Sequence, residues 1–538
     1  LIRRQRQMCI RDRLKTDLVI MGSGMAGISA ADAALARGKK VIVFEKKPYQ
    51  GGAVSNCPIA YVSIRKDRAF QNAAFHLLYE YSNYNANPSV IRQYVNNSWR
   101  TKEYIERLGI KMIPTQQLEL EDIGDPKYAD GFPPAVMAHG DFYLVPGRGK
   151  GHGGALICLN AMKDIIKRGG QYMLNTPITD ILVDENGKVT GVKAVNNETK
   201  EEIEVECEAV IIASGGIMED REMMKKYTGF TFTDYNCSGD GNVLFNCYPN
   251  SGQTGDGQKL AWKLGGAQSA IAVSGHNLVP GPGIVASSPW IVYNETRTIQ
   301  EQPYLWVNKN GERFIDESIS NNHMAISTGI ANQPNGESYI CLLSRRQRQM
   351  CIRDRSYIVF DEDTRRHLEE EGVDYMYFIF PVEKLTDIPG QFRTLIEEKG
   401  NKHVFMKDTI EELCAQSGID QAGLEETLDR YNGYCDNGED EEFGKNAKYL
   451  RPVRKGPFYA MRVFCAGYDT IGGIKVNGKM QVVKEDGKAI PGLYAAGDNM
   501  MSEFYGNPPT GGSAGAYFAM PFGFAAGDSA CDYMEKHA

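Results

Sequence analysis

Residues 17–46 read DLVIMGSGMAGISAADAALARGKKVIVFEK, and the order of signals in this stretch decides the fold. DLVIM is a short apolar run of the kind that forms a buried parallel strand. GSGMAG follows as a glycine turn, ISAADAALARG has helical periodicity, and KVIVFEK supplies a second strand. Gly22 permits the tight turn, Gly24 lets a pyrophosphate approach the backbone, and Gly27 lets helix and strand pack closely. The helix start offers free N–H groups and a positive dipole end to phosphate. Glu45 closes the second strand 21 residues beyond Gly24, where an acid can accept hydrogen bonds from the adenosine ribose hydroxyls. A lone GxGxxG is a weak signal. Strand, glycines, helix, strand and terminal acid together separate a dinucleotide site from an ordinary glycine-rich turn.

Working outward, Glu45-Lys46-Lys47 leads into Gly51-Gly52, a second glycine loop suited to a flavin dinucleotide lying extended across the domain. ITDILVDENGKVTGVKAV (178–195) reads as a hairpin before EAVIIASGG, with Ala213, Ser214, Gly215 and Gly216 in its last turn. Thr254-Gly255-Asp256-Gly257 precedes the helix QKLAWKLGGA, and GLYAAGD near the end carries Gly497 and Asp498. This succession, with VNKNGERFIDE (307–317), TIGGI (470–474) and a final glycine pair opening a helix, resembles the fumarate reductase/succinate dehydrogenase flavoprotein superfamily from residue 15 to residue 535. The resemblance implies an α/β architecture: a Rossmann-like FAD-binding domain in two sequence segments, 14–275 and 445–538, with an inserted α+β cap or substrate domain at 276–444. It implies that Gly22, Gly24, Gly27, Glu45, Lys46, Gly51, Gly52, Ala213, Ser214, Gly215, Asp256, Gly497 and Asp498 hold FAD. Gly511, Gly512, Ser513 and Ala514 fall where members present backbone N–H groups to the pyrimidine edge of the flavin. A helix start there would stabilise negative charge on the reduced ring. Pro521 is expected to break or kink that helix, or to open a second one. Some relatives tether FAD to a His near the second glycine loop. The loop here, GGAVSNCPIAYVS, has none, so FAD is expected to be non-covalent.

The resemblance also implies hydride exchange between flavin N5 and an activated C=C or CH–CH unit next to a carbonyl, with a proton moved at the neighbouring carbon. Fumarate-reducing members use two Arg and two His for this. The matching positions here are Asn321, Pro509 and the triplet Tyr468-Asp469-Thr470, and only His276 sits where a substrate-binding His is expected. A carboxylate buried over the flavin without its bidentate Arg is costly, so an uncharged or singly acidic enone or enoate is expected rather than a C4 dicarboxylate. Tyr505, His276 and Asp469 are the catalytic candidates. Each has a plainer reading: Tyr505 as packing beside the flavin, His276 as a core or hinge residue, Asp469 as a turn former before Gly472-Gly473. Arg313 and Glu317 read as a surface ion pair, and His323 as structural.

GKGHGG (149–154) formally repeats GxGxxG, but no strand ending in an acid follows at the right distance, so it reads as a flavin-contacting or helix-capping loop. Electrons are then expected from a redox partner (a flavin, haem or quinol protein) or from the substrate. Two rival readings stand beside this one: a nicotinamide-coupled or oxidase-like flavoenzyme, and a non-catalytic flavin electron-transfer subunit.

The chain has 538 residues, 42% hydrophobic and 24% charged, with 57 Gly, and no apolar run long enough to span a membrane. RRQRQMCIRDR occurs twice, letter for letter, at 3–13 and 345–355. Structural repeats drift and recur with a period, so both copies read as a sequence artefact, with native sequence displaced around 344–356 and the native start missing. Removing them takes Lys+Arg from 60 to 50 and Asp+Glu from 68 to 66, so the net charge moves from −8 to −16 and no basic face remains for nucleic acid. The 12 Cys include no CxxC and the eight His no HxxxH, a pattern of reduced thiols with no metal site expected and a cytoplasmic setting. Residues 89–108 and 420–435 read as amphipathic helices, the second capped by Asp420, and NGEDEEFGKN (437–446) as a solvated loop.

Overall fold

The computed structural model describes residues 14–53, 59–128, 135, 138–145, 153–228, 231–233, 243–246, 251–274, 277–279, 298–318, 356–376, 382–398, 400–467, 469–506 and 515–537. Both copies of the duplicated segment lie outside these residues. The apolar runs read from the sequence become strands: β1 (Leu18–Met21), β2 (Val41–Phe44), β3 (Gln171–Met173), β4 (Ala209–Ile212), β5 (Gln481–Val483) and β6 (Ala489–Ala495). They form one six-stranded sheet in the order β5-β6-β4-β1-β2-β3. All neighbours run parallel except β5 and β6. Every residue of β1, β2 and β4 is buried, as expected for parallel strands covered on both faces. β6 comes from the far end of the chain and pairs directly with β4, so the nucleotide-binding sheet is built from two sequence-distant segments, as expected.

Four helices matter for the site: α1 (Met25–Ala36), α2 (Pro88–Arg107), α3 (Gly153–Lys167) and α4 (Gly515–His537). α1 starts so close to β1 that a side chain at Gly27 would put its Cβ 2.0 Å from the Gly22 carbonyl oxygen. On its other side α1 meets α4 through small residues. A Cβ on Gly523 would lie 2.1 Å from the Ala26 carbonyl oxygen, and one on Gly527 2.7 Å from that of Ala30. α4 runs unbroken through Pro521, so the expected break there does not occur. The hairpin read at 178–195 forms as Ile178–Val183 against Val189–Val195. The helices read at 89–108 and 420–435 form as α2 and as Gln421–Asn437, the latter capped by the Asp420 side chain accepting from Gly423 N.

The second body is a seven-stranded sheet organised around the long strand Phe458–Gly467. Ser356–Phe360 and Val404–Lys407 pair antiparallel with its first part. Along its last part Val243–Asn246 runs parallel and Asn277–Val279 antiparallel. Alternation along Ser356–Phe360 splits the core in two. Ile358 and Phe360 join Trp306, Phe392 and Tyr459 on one face, while Tyr357 and Val359 join Leu305, Leu424 and Tyr431 on the other. Sheet membership groups 458–467 with the cap elements, although 445–538 is the expected extent of the second FAD segment. The two passages between the bodies lie side by side: Ile271–Ser274 pairs antiparallel with Asp469–Gly472, Ser274 opposite Asp469.

Two surface readings are corrected. Arg313 and Glu317 are wholly buried, joined by Nε to Oε1 and Nη2 to Oε2 hydrogen bonds of 2.9 Å. The loop 437–446 turns Asp440 and Lys445 inward: Asp440 takes two further hydrogen bonds from Arg313, and the Lys445 ammonium lies 3.3 Å from Glu317 and donates to Tyr431. Glu439 and Glu441 remain exposed. Spacing alone could not distinguish this from a helical surface pair, because the partners come from a segment more than a hundred residues away. Burial alone would push the Asp440 carboxyl up, but the hydrogen bonds and charge of Arg313 win and hold it at about 2.

Replacing Arg313 by Leu removes four hydrogen bonds from two buried carboxylates, so Arg313→Leu is expected to destabilise the cap by roughly 3–5 kcal/mol, read as a lowered urea midpoint. Asp440 has a depressed folded pKa, so its contribution is present above the ordinary carboxylate range of about 4 and is lost as pH falls through about 2. Acid titration followed by circular dichroism should show that loss in the wild type and not in Asp440→Asn.

Candidate active site

β1, β2, β4 and β6 end at one edge of the sheet, and the turns that follow them enclose a cleft of about 990 Å³ including its mouth. Gly22, Gly24, Glu45, Lys46, Gly51, Gly52, Ala213, Ser214, Gly215, Asp256, Gly497 and Asp498 all line it, and so does Asp469. Gly27 does not line the cleft; it sets the closeness of α1 to β1.

The start of α1 is uncapped by any side chain and carries no acid in its first turn, so its N–H groups are left for an anion. Gly22 has φ +104°, and a Cβ there would strike the Ala213 carbonyl oxygen at 2.3 Å, so only glycine fits between the β1 and β4 turns. A Cβ at Gly24 would meet nothing within 4 Å, so the chain there presents backbone to open space. Glu45 accepts from Ser23 N (3.1 Å) and Ser23 Oγ (2.8 Å) through one oxygen and from Lys47 N (3.0 Å) through the other. Gly51 N donates to the same Ser23 hydroxyl at 2.9 Å. One carboxylate thus ties the first glycine turn, the end of β2 and the second glycine loop together. Lys46 reaches across the cleft to Asp256 (2.8 Å), whose other oxygen accepts from Thr254 Oγ1.

Several residues that shape the cleft were not singled out in the sequence. Asn499 is fully buried; its side-chain oxygen accepts from Ser214 N at 2.9 Å and its amide donates to the Gly215 carbonyl at 2.9 Å. Gln258, also fully buried, donates to the same Gly215 carbonyl at 3.1 Å. Thr470, named in the sequence as the last member of the triplet 468–470, accepts from Ile217 N through Oγ1. Ser23, an unspecified position of the glycine fingerprint, is the hub for Glu45. Adjacency to the GD and GDG motifs was the available signal for Asn499 and Gln258, but neither periodicity nor charge marks an amide as a backbone clamp.

The catalytic candidates separate. Asp469 is 5% exposed in the cleft wall, which Asp498 also lines. Tyr505 does not line the cleft; it is buried among aromatic rings, edge-on to Phe504 at 4.8 Å and to Phe518 at 6.1 Å. His276, His323, Asn321, Pro509, Tyr468, Gly511, Gly512, Ser513, Ala514 and most of GKGHGG lie outside the described residues. His139, not considered from the sequence, stacks on Phe518 and hydrogen-bonds the Tyr94 hydroxyl, and burial pushes it down to about 3, so it is a neutral core histidine.

The residues fit FAD. An uncapped helix start offers donors to a pyrophosphate, a carboxylate closes β2 where the adenosine ribose falls, and the buried Asp498 Oδ1 has no hydrogen-bond partner among the described residues and can accept from a hydroxyl. A largely parallel sheet with such a cleft at its carboxyl edge is the frame of a dinucleotide-binding protein. The chain belongs to the FAD binding domain family, which matches residues 17–514. It is 26% identical over 539 residues to the vinyl phenol reductase of Lactiplantibacillus plantarum, covering 97% of both chains. It is 25% identical to the urocanate reductase of Eggerthella lenta over 90% of this chain and 69% of that one. In structure it is similar to the 3-ketosteroid Δ1-dehydrogenase of Sterolibacterium denitrificans, with TM-score 0.70 and 19% identity over 96% of this chain and 100% of that one. The expected superfamily, the α/β FAD fold, FAD as cofactor and the class of oxidoreductase acting on CH–CH groups all hold. No described helix is long and apolar enough to cross a membrane.

Asn499→Leu leaves a buried N–H at Ser214 and a weakened partner for the Gly215 carbonyl. It is expected to weaken FAD binding about ten-fold, measured by flavin fluorescence on titrating the apoprotein.

Proposed function

We propose that the chain is an ene-reductase for a small, largely uncharged conjugated alkene, taking electrons from a separate redox protein and holding FAD without a covalent bond. The observation that carries the substrate reading is the pair of acids in the cleft wall. Asp469 stands in the triplet where the resemblance expects histidine, and with Asp498 it gives that wall carboxyls in place of cations. A substrate carboxylate would meet like charge there, with Asn321 and Pro509 at the two positions where Arg would neutralise it. The similarity to a vinyl phenol reductase favours the same class and widens it, because an alkene conjugated to a phenol ring needs no adjacent carbonyl.

The chemistry that bound FAD supplies is hydride exchange through its N5. Gly22, Gly24, Ser23 and the start of α1 would bind its pyrophosphate side, and Glu45 its ribose. Ala213, Ser214 and Gly215, clamped by Asn499 and Gln258, would form the wall beside it. Asp498 would accept a hydroxyl hydrogen bond. For the proton, Tyr505 remains the proposed donor: it sits in the short helix Ser502–Tyr505 directly after the cleft residues 497–498. A reducing compartment suits the five free cysteines among the described residues, four of them buried.

The reading is tested by anaerobic reoxidation of the photoreduced holoenzyme. 4-Vinylphenol or a neutral enone should oxidise the flavin at least about ten-fold faster than fumarate, a difference of about 1.4 kcal/mol in barrier. Fumarate as the fastest acceptor would overturn the substrate assignment. Full reduction by NADH or NADPH alone would overturn the need for a carrier. Tyr505→Phe should keep its flavin spectrum and lose about a hundred-fold in turnover, the ordinary scale of a general acid, and unchanged turnover would assign the ring to packing. Acid precipitation should leave the flavin in the supernatant; a yellow pellet would mean a tether.

A further inference from the structure

Two lips of the cleft face each other beyond the ends of β2 and β4, and each is fixed by its own hydrogen bonds. On one side Glu45 ties the stretch 45–51 to Ser23. On the other, the turn 251–256 is held by Glu219, whose carboxylate accepts from Ser251 N at 2.6 Å, Ser251 Oγ at 3.1 Å and Gly252 N at 3.1 Å. Lys259 anchors the same turn, donating to Asp220 at 2.6 Å and to the Thr254 carbonyl at 3.0 Å. The lips come close together. A Cβ on Gly52 would lie 3.2 Å from the Ser251 carbonyl oxygen.

Lys46 crosses from one lip to the other. Its stem lies on Gly252, where an added Cβ would strike Lys46 Cε at 2.7 Å, with Lys47 Cε beside it at 3.0 Å. The Lys46 ammonium donates to Asp256 Oδ2 at 2.8 Å and to Thr254 Oγ1, and Thr254 Oγ1 donates to Asp256 Oδ1 at 2.8 Å. The resemblance implies that Lys46 and Asp256 both hold FAD, yet their polar atoms engage each other and Thr254. Both side chains stand at the rim of the cleft they line, 22% and 31% exposed.

We propose that Lys46 is a positioning residue that straps the cleft shut across bound FAD: the Lys46–Thr254–Asp256 triad sets how fast the cofactor enters and leaves, and not how tightly it binds.

FAD is a long molecule with a ring system at each end and a narrower diphosphate between them. The cleft that would hold it runs from Thr176, Pro177 and Ile178 past Glu45 and the start of α1 to Asp498. A molecule of that shape cannot be drawn lengthwise beneath a closed bridge without a ring system passing under it, so the lips must part for exchange. Every partner in the triad is a protein atom, so the strap is made whether or not FAD lies beneath it. Opening it then costs the same on the way in and on the way out, which slows both rates and leaves their ratio alone. The scale is that of one ion pair at a partly exposed rim, reinforced by charge-assisted hydrogen bonds.

The inference rests on the FAD site and on neither the substrate nor the electron donor, so failure of either of those readings leaves it standing. The test uses the full chain. FAD uptake by the flavin-stripped protein, and FAD release on dilution of the holoprotein, are followed in time by flavin fluorescence. Lys46→Met keeps the stem and removes the ammonium: both rates should rise about five-fold, with the dissociation constant within about two-fold of wild type. Asp256→Asn should act in the same way, and the double variant should be no faster than either single one, because one strap is lost only once. Lys46→Arg keeps charge and reach and should exchange FAD at close to the wild-type rates. Lys46→Met carries the test if the Asp256 variants do not fold. Faster release with unchanged or slower uptake would mean that Lys46 binds FAD directly or only stiffens the lip, and that result overturns the proposal. So do unchanged rates in Lys46→Met, effects of the two substitutions that multiply in the double variant, or fast exchange in Lys46→Arg.

Discussion

The cleft depends first on how closely α1 can approach its neighbours. At Gly27 it lies against the Gly22 carbonyl, and at Ala26 and Ala30 it lies against Gly523 and Gly527 of α4. In each place a single added carbon would collide with backbone, which cannot give way as a side-chain tip can. The consequence is positional. With α1 held between sheet and α4, its unused N–H groups sit at the carboxyl edge of β1, where a phosphate can reach them. Salt links at the far end tie α4 to the end of α1, from Arg37 to Asp532 and Glu535, and to α2, from Arg100 to Asp528; they lie at partly exposed sites and add little by comparison.

From that arrangement the rest of the site follows by hydrogen bonding. Glu45 does not simply wait for a ribose; in the protein alone it already binds Ser23 and the backbone of Lys47, and through Ser23 the second glycine loop. Asn499 and Gln258 do the same for the turn after β4. These are buried polar groups with their partners supplied, which makes a turn rigid instead of merely possible. The cap is organised on the opposite principle of a buried charge cluster. Arg313, Glu317, Asp440 and Lys445 pin the segment 437–446 to the one around 313, so the cap's two ends are tied before the chain returns along Phe458–Gly467.

The chemistry the site favours reflects what its wall lacks and what it contains. The resemblance expects two Arg over the ring of a flavin cleft that accepts dicarboxylates, and the matching positions here are Asn321 and Pro509. Asp469 and Asp498 give that wall two carboxyls, and the proposed preference for an uncharged substrate rests on them.

The sequence by itself determined the nucleotide-binding half. Its signals are local, because a buried parallel strand, a positive-φ glycine turn and a helix start must each be written into neighbouring residues, and so the two-segment sheet and twelve of the cleft's residues were legible in advance. Only the tertiary structure decided the rest, since those interactions join residues far apart in the chain. Asp440 turned out to be a buried partner of Arg313 and not a solvated acid, Phe458–Gly467 joined the cap sheet, and α4 continued through Pro521. Tyr505 took a place among aromatic rings, and Asp469 came to line the same cleft as Asp498. No periodicity records such meetings, because which distant side chains share one buried space is settled only when both bodies have packed.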